Sequence, residues 1–285
     1  MMGAFARSWE ITKLTFSVMK KEKELLVFPI LSIIFSLVFV IAIFFPRIIL
    51  VLLRGDSVIL GGLEYLLIFL TYFGLAFIAT FFNVCVVYTA ALAFSKKEAK
   101  FWSTIKFAFS RIHVILLWSI MVASVGLILK IIEGVAERAK GVGKIVLMIT
   151  TGLLRMSWSI ATIFVIPGLV YHNLGPFAAI KKSVQVLRKT WGESLIKILG
   201  IGLVTFVFIL LGIIIGIPIV YLGYTLGGIL GLTIGIFLVF IYLISIFLIF
   251  GVAGQIFDTA LYVYAESKVV VAPYRKDLLT SAFKP

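Results

Sequence analysis

The sequence predicts an all-α protein, a polytopic transmembrane helical bundle of about six spans with three interfacial amphipathic helices in a threefold internal repeat. Three observations lead to this prediction. The 285 residues are 62% hydrophobic and 13% charged, whereas soluble domains are about half apolar and about a quarter charged. Apolar runs of about 20 residues, enough to cross a bilayer, recur along the chain. Lys and Arg cluster in short segments between these runs.

The first predicted span is the uncharged run of residues 25–45, which Pro46 and Arg47 close. This run is longer than the core of a signal peptide and has no small-residue cleavage site, so we expect it to be retained. No charge occurs between Lys197 and Asp258, an interval long enough for three crossings. The remaining apolar runs cover residues 58–94, 112–132 and 145–171.

The distribution of basic residues decides the predicted number of spans. Basic-rich segments precede the first run, follow the second and fourth runs, and close the chain, whereas the alternate loops are poorer in Lys and Arg. Cytoplasmic loops of membrane proteins carry an excess of Lys and Arg. Six spans place every basic-rich segment in the cytoplasm, whereas a seventh would place the basic C-terminal tail outside. The sequence therefore predicts a multi-pass protein of the cell membrane with both termini in the cytoplasm.

Three of these cytoplasmic segments share a motif, an aromatic residue followed four positions later by lysine. Apolar residues continue each segment at helical spacing, and we expect the basic side chains on the opposite face, as in helices that lie in the headgroup layer. The predicted interfacial helices cover residues 5–19, 101–112 and 177–191. An alternative is that aromatic and basic residues are simply enriched at membrane interfaces. The motif pairs are Trp9 with Lys13, Trp102 with Lys106, and Phe177 with Lys181.

Each predicted interfacial helix is followed by two apolar spans. The whole chain, residues 1–285, is therefore interpreted as a single transmembrane domain of three repeat units. The repeat units cover about residues 1–94, 95–171 and 172–268, and residues 269–285 form a cytoplasmic tail.

Three stretches of the sequence carry a resemblance to a known family. The chain resembles a prokaryotic family of six-span membrane proteins, a domain of unknown function. It is more distantly similar to the membrane domain attached to some glycerophosphodiester phosphodiesterases. The resemblance covers nearly the full length and implies a six-span fold, but its motifs carry no assigned chemistry. The stretches are Arg7-Ser8-Trp9-Glu10 leading to Lys23-Glu24-Leu25-Leu26-Val27-Phe28-Pro29, then Val165-Ile166-Pro167 through Gly175-Pro176 to Lys189-Thr190-Trp191-Gly192-Glu193, and Ala260-Leu261-Tyr262-Val263-Tyr264.

Ionisable residues inside membrane spans are candidate functional groups, because a charge in the bilayer is costly. Counting back about 20 residues from the cytoplasmic ends of their spans places Arg155 and Glu64 near the outer boundary. They are predicted either to form an ion pair or to reach the outer headgroups separately.

A second polar group is expected in the inner half of the membrane. Asp258 lies about two turns before the end of the last span, and Gln255, Asn83 and His113 are expected at comparable depth. This polar cluster has two interpretations: it binds a headgroup or relays a proton, or it holds the helices together by hydrogen bonds. The leading hydrogen-bond partners predicted for Asp258 are His113, Asn83 and Lys182, because a buried carboxylate needs polar contacts.

Glycines recur every four residues in the last apolar interval, at Gly223, Gly227, Gly231 and Gly235. Glycine at this spacing lets two helix backbones approach closely. The helix that packs there is either the preceding span of the same chain or a span of another protomer in a homo-oligomer.

The sequence carries no motif for a nucleotide, a metal or a catalytic nucleophile. Cys85 is the only cysteine, and His113 and His172 have no partners at the spacing of metal ligands. No cofactor is therefore predicted. The net charge of +14 is spread between the spans, which predicts contact with anionic headgroups on the cytoplasmic side rather than with nucleic acid.

These observations favour a non-enzymatic membrane protein that binds lipid or organises the bilayer. One alternative is a small-solute transporter or channel, favoured by the repeats and by helix breaks inside spans. Another is a lipid-modifying enzyme, for which Asp258 with His113 is the only plausible acid–base pair.

Overall fold

The computed structural model describes residues 4–54, 62–189 and 191–275, apart from the side chains of residues 4–7, 47, 50–54, 62–64 and 191–200. Within these ranges the protein is all-α and has no strand, which confirms the predicted fold class. The helices are α1 (Ala4–Lys21), α2 (Glu24–Arg54), α3 (Gly62–Phe94), α4 (Phe101–Ser110), α5 (Ile112–Arg138), α6 (Val142–Ala161), α7 (Val165–His172), α8 (Pro176–Lys189) and α9 (Trp191–Ser267).

Five stretches of the described residues are long and apolar enough to cross a membrane, which indicates a multi-pass membrane protein. Their number differs from the six spans that the charge pattern predicts, because the last stretch is counted as one continuous helix. The stretches are Glu24–Pro46, Tyr65–Phe94, Ile112–Arg138, Val142–His172 and Ile201–Ser267.

The last of these stretches folds back on itself at Gly228. Gly228 has φ 57° and ψ −137° in the middle of α9, a conformation that glycine adopts without steric cost. The two arms run antiparallel, because residues before and after the bend meet in reverse order: Gly223 lies against Gly231, and Gly216 lies against Val239. The Tyr242 hydroxyl donates a hydrogen bond to the Phe208 carbonyl at 2.8 Å. A Cβ atom added at Gly235 would lie 2.9 Å from Val220 Cα.

α6 and α7 form one candidate span with an interruption at residues 162–164. Pro167 explains its position, because proline has no N–H to donate to the carbonyl four residues earlier. Within the interruption, the buried Phe164 amide donates a hydrogen bond to the Ser183 hydroxyl on α8 at 3.0 Å. The interruption thereby ties α7 to α8.

The chain separates into two compact units. The first unit comprises Met1–Leu26, Ala90–Glu98 and Lys189–Pro285, and the second comprises Val27–Thr89 and Ala99–Arg188. These units cut across the predicted repeat units, whose boundaries stay a prediction.

The first unit is built around α1 and α9. The rings of Phe16 and Phe250 lie 5.5 Å apart, and the hydroxyls of Thr15 and Tyr274 share a hydrogen bond of 2.8 Å. Arg275 in the C-terminal segment donates to Glu10 on α1 at 2.6 Å. α1 is therefore covered by α9 and by the segment that follows it.

The second unit has an aromatic interior. Tyr88 and Phe107 stack with their ring centroids 3.8 Å apart, and Trp118 stacks on Trp158 at 5.9 Å. A buried apolar cluster joins α5, α7 and α8. Its members are Val114, Trp118, Val165, Leu169 and Ala179.

Helices form at all three motif segments, as α1, α4 and α8. In each helix the aromatic residue is exposed, with 50% of Trp9, 78% of Trp102 and 81% of Phe177 accessible. The residues two and six positions later are buried in all three. They are Ile11 and Thr15, Thr104 and Ala108, and Ala179 and Ser183.

This pattern corrects the expected arrangement of the motif. A helix turns about 100° per residue, so a lysine four positions after the aromatic residue lies only about 40° from it around the axis. Lys13, Lys106 and Lys181 are accordingly exposed. The expectation that basic side chains lie opposite the aromatic residue is therefore wrong for these three lysines. The position of the helices at the membrane surface and the threefold repeat stay predictions.

Candidate functional site

The predicted inner polar cluster is divided between the two units. Asp258, which is 8% exposed, and the partly buried Gln255 belong to the first unit, whereas Asn83 and His113 belong to the second. Asn83 is partly buried on α3, and His113 is exposed at the start of α5. The meeting of these four residues stays a prediction.

Asp258 and Gln255 line a cleft between the two arms of α9, the α9 cleft, with a volume of about 480 Å³. Glycines make room for it, because a Cβ atom added at Gly202 or Gly251 would meet no heavy atom within 4 Å. The cleft combines a carboxylate, an amide and a hydroxyl with an apolar wall. Its other lining residues are Ile201, Thr205, Phe206, Ile209, Phe250 and Gly254.

The charge of Asp258 also acts on Tyr274, which follows the last candidate span. Burial raises the pKa of the Tyr274 phenol above its ordinary value, the hydrogen bond with Thr15 opposes this rise, and the negative charge of Asp258 adds to it. The tyrosine therefore keeps its proton, and the hydroxyl stays available to Thr15.

Arg155 forms an ion pair with Glu133 on the neighbouring helix α5. The side chain of Glu64 lies outside the described residues, so the predicted pair of Glu64 with Arg155 stays a prediction. Glu133 could have been identified as a partner from its position near the end of α5, since α5 and α6 are joined by a short loop and must pack side by side.

The ion pair lines a cavity of about 400 Å³ between α5 and α6, the charged cavity. Charges of both signs surround it, together with a buried hydroxyl and a small apolar wall. Its lining residues are Glu133, Ala136, Glu137, Lys144, Met148, Thr151, Gly152 and Arg155.

A third cavity, the aromatic groove, is lined by apolar side chains of α2, α3 and α4 and measures about 430 Å³. The sequence signal for it is the recurrence of aromatic and aliphatic residues every four positions within α3 and α4, which the predicted polar sites do not include. The lining residues are Leu31, Phe35, Phe77, Ile78, Phe81, Phe82, Phe101, Trp102, Ile105 and Phe109.

A lysine flanks this groove. α4 lines the groove through Phe101, Trp102, Ile105 and Phe109. Lys106 lies about 40° from Trp102 around the helix, and both side chains are exposed. The groove therefore has an apolar interior with a cation beside it.

No group of three or more His, Cys, Asp or Glu side chains in the described part of the chain is arranged to hold a metal ion. Cys85 is buried on α3 and forms no disulfide.

The comparisons with known proteins assign no activity to the chain. No curated protein and no solved structure matches the chain. The similarity to the glycerophosphodiester phosphodiesterase membrane domain is not supported by any match. The model of a family of unknown function, DUF6159, matches residues 62–270. Because this match covers most of the chain, the protein belongs to that family of unknown function, DUF6159.

Proposed function

We propose that this protein is a non-enzymatic, multi-pass protein of the cell membrane that binds anionic phospholipids at the cytoplasmic face. The observation that carries the proposal is the aromatic groove with Lys106 at its side. One ligand must match two features of the site, the apolar interior of the groove and the positive charge beside it.

The interior of the groove fits a lipid chain better than a polar solute. Every lining residue is apolar, so a polar group placed there would lose its hydrogen bonds to water without replacement. A lipid tail gains little free energy by moving from the bilayer into the groove, since both surroundings are apolar. Preference for one lipid must therefore come from its headgroup.

Lys106 supplies that preference. A lysine can lay its methylene chain along apolar surface and extend its ammonium group to the headgroup layer. A cation near the membrane surface contributes about 1 kcal/mol of attraction to an anionic lipid. Trp102 beside it has the amphipathic ring that is enriched at the membrane interface. Together they would hold a lipid phosphate next to the groove.

Lipid retained by the purified protein tests this proposal. Native mass spectrometry in nanodiscs of equal parts phosphatidylglycerol and phosphatidylcholine should show preferential retention of phosphatidylglycerol. Loss of one cation in Lys106→Gln should lower that preference about fivefold, the equivalent of about 1 kcal/mol. Lys181→Gln removes the lysine at the same position of the motif in α8 and should change the preference for phosphatidylglycerol less than Lys106→Gln does.

A second variant tests the groove itself. Ile78→Trp adds a large ring to the groove wall and should reduce lipid retention of both classes. Equal retention of the two lipids by the wild-type protein, or an equal effect of Lys106→Gln and Lys181→Gln, would contradict the proposal.

A second candidate function is transport of a small solute, which the α9 cleft favours. The cleft places Asp258 and Gln255 between the two glycine-containing arms of α9, and carboxylates within spans often mark solute or ion paths. Uptake into proteoliposomes that Asp258→Asn abolishes would support transport over lipid binding alone.

A further inference from the structure

We propose that the charged cavity between α5 and α6 is a binding site for a zwitterionic group, in which an anion and an ammonium are joined by a short linker. It lies apart from the aromatic groove in its lining residues, and the inference does not depend on the proposed lipid preference of Lys106.

The lining residues belong to facing sides of two neighbouring helices. On α6 they recur every three or four residues from Lys144 to Arg155, which places them on one face over about 16 Å. On α5 Glu133 and Glu137 are one turn apart and share a face. The cavity is therefore an elongated space with charged groups along its length.

The four charges have different roles. Arg155 and Glu133 neutralise each other in an ion pair. Glu137 and Lys144 line the same cavity, and within the described residues neither takes part in an ion pair. The cavity thus offers a carboxylate and an ammonium group for a ligand, with the Arg155–Glu133 pair as a fixed end.

The balance of charge selects the class of ligand. Two carboxylates and two cations sum to zero, so an ion of either sign would meet repulsion as well as attraction. A zwitterion can place its ammonium near Glu137 and its anion near Lys144 at the same time. An ionisable residue in a membrane span is costly unless it is paired or has a function. Both stretches involved, Ile112–Arg138 and Val142–His172, are candidate spans.

The cavity also has space for such a group. A Cβ atom added at Gly152 would meet no heavy atom within 4 Å, so this glycine leaves room in the wall. Ala136 and Thr151, which are 4% and 3% exposed, form a small and firmly packed floor. A small headgroup fits these walls better than a bulky one.

Two sources can supply the same chemistry, a lipid headgroup and a free molecule. The experiment therefore uses two probes on the purified full-length protein. Phosphatidylethanolamine in nanodiscs is followed by native mass spectrometry, and radiolabelled phosphoethanolamine by equilibrium dialysis. Binding of the lipid alone assigns the site to a headgroup, and binding of both probes assigns it to a zwitterion from either source.

Variants show whether the bound probe occupies this cavity. Glu137→Gln and Lys144→Gln should each lower the affinity of the probe about tenfold, since each removes one charge contact worth roughly 1.4 kcal/mol. Lys140→Gln removes the same charge four residues away, outside the lining, and should leave binding unchanged. Lys144→Arg should retain most of the affinity.

Filling the cavity provides an independent arm. Gly152→Leu places a side chain in the open space and should abolish binding while the thermal unfolding midpoint stays close to that of the wild type. Failure of both probes to bind, or equal binding by wild type, Glu137→Gln and Gly152→Leu, would overturn the proposal.

Discussion

At the residue scale, the glycines of α9 fall into two groups that differ in what a side chain would meet. A Cβ atom at Gly231 or Gly223 would overlap the carbonyl of the other residue, so the backbones touch there. At Gly202 and Gly251 the same atom would meet nothing within 4 Å. The same residue type therefore permits close packing near the bend of α9 and leaves open space at the α9 cleft.

This difference predicts opposite effects of the same substitution. Gly231→Ala should lower the free energy of unfolding by about 1–3 kcal/mol, because the added methyl group overpacks the contact with Gly223. Gly251→Ala should be neutral or stabilising by up to about 1 kcal/mol, because alanine favours the helix and meets no clash. Unfolding in detergent, followed by circular dichroism, measures both. Equal effects of the two changes would contradict the packing described for α9.

Tyr274 gives a prediction for alkaline pH. Burial raises its pKa, so above about pH 10 the unfolded chain releases the phenol proton while the folded protein retains it. The unfolded state then binds fewer protons, and stability falls as the pH rises. Unfolding midpoints measured from pH 8 to pH 11 should decline more steeply for the wild type than for Tyr274→Phe. Parallel pH profiles would show that this residue is not responsible.

At the element scale, the ends of three helices share one backbone feature. Lys96, Asn173 and Lys268 follow α3, α7 and α9 and have φ values of 54°, 53° and 58°. A residue in this left-handed conformation is a common way to end a helix. Glycine is the usual residue at such a position, but lysine or asparagine occupies it here. The sequence therefore contains no glycine that would mark these three helix ends. The threefold repeat stays a prediction.

The motif helices also use small polar residues on their buried sides. Thr15 bonds to Tyr274, Thr104 lies 3.5 Å from the Thr89 hydroxyl, and Ser183 accepts from the Phe164 amide. Such residues let helices approach closely and exchange hydrogen bonds in an apolar surrounding. The buried side of each motif helix therefore contains a small polar residue, although the exposed side carries a large aromatic one.

The antiparallel arms of α9 lead to a crosslinking prediction. A Cβ atom at Gly216 would lie 3.6 Å from Val239 Cβ, within the usual range for a disulfide of about 3.5–4.5 Å. The double variant Gly216→Cys, Val239→Cys in a Cys85→Ser background should therefore oxidise readily, as shown by altered gel mobility. Pairing Gly216→Cys with Ile234→Cys, where Ile234 is 60% exposed, should not. Crosslinking of the control pair alone would refute the antiparallel register.

At the scale of the whole molecule, the bend of α9 bears on the number of crossings. The candidate stretch Ile201–Ser267 is one of five, and its two arms meet around Gly228. If each arm crosses the bilayer, the chain crosses six times, as the basic segments predict. An even number of crossings places both termini on the same side.

Reporter fusions test this topology. A reporter that functions only in the cytoplasm should be active when it is fused after residue 285 and inactive when inserted at residue 228. Insertion at residue 141, in the loop between α5 and α6, should also be inactive. Activity at residue 228 together with inactivity at residue 285 would show that α9 crosses only once and would contradict the six-span model.

Much of the fold follows from local sequence. The apolar stretches, the helices at the motif segments and the all-α class were predicted because hydropathy and helical spacing act within a few turns. The candidate site was predicted less well. Arg155 was recognised as an ionisable residue within a span, but its partner Glu133 and the aromatic groove were not foreseen.

The helical and apolar character of the chain follows from its sequence alone, and its basic segments predict which ends face the cytoplasm. Those properties depend on the hydration of each segment and on the backbone preferences of its own residues. Which residues meet, as the backbones do at Gly223 and Gly231 or the side chains around the charged cavity, is a property of the tertiary structure. Such contacts depend on the rotation and axial register of one helix against another, which are fixed by all packed side chains together and by no single segment.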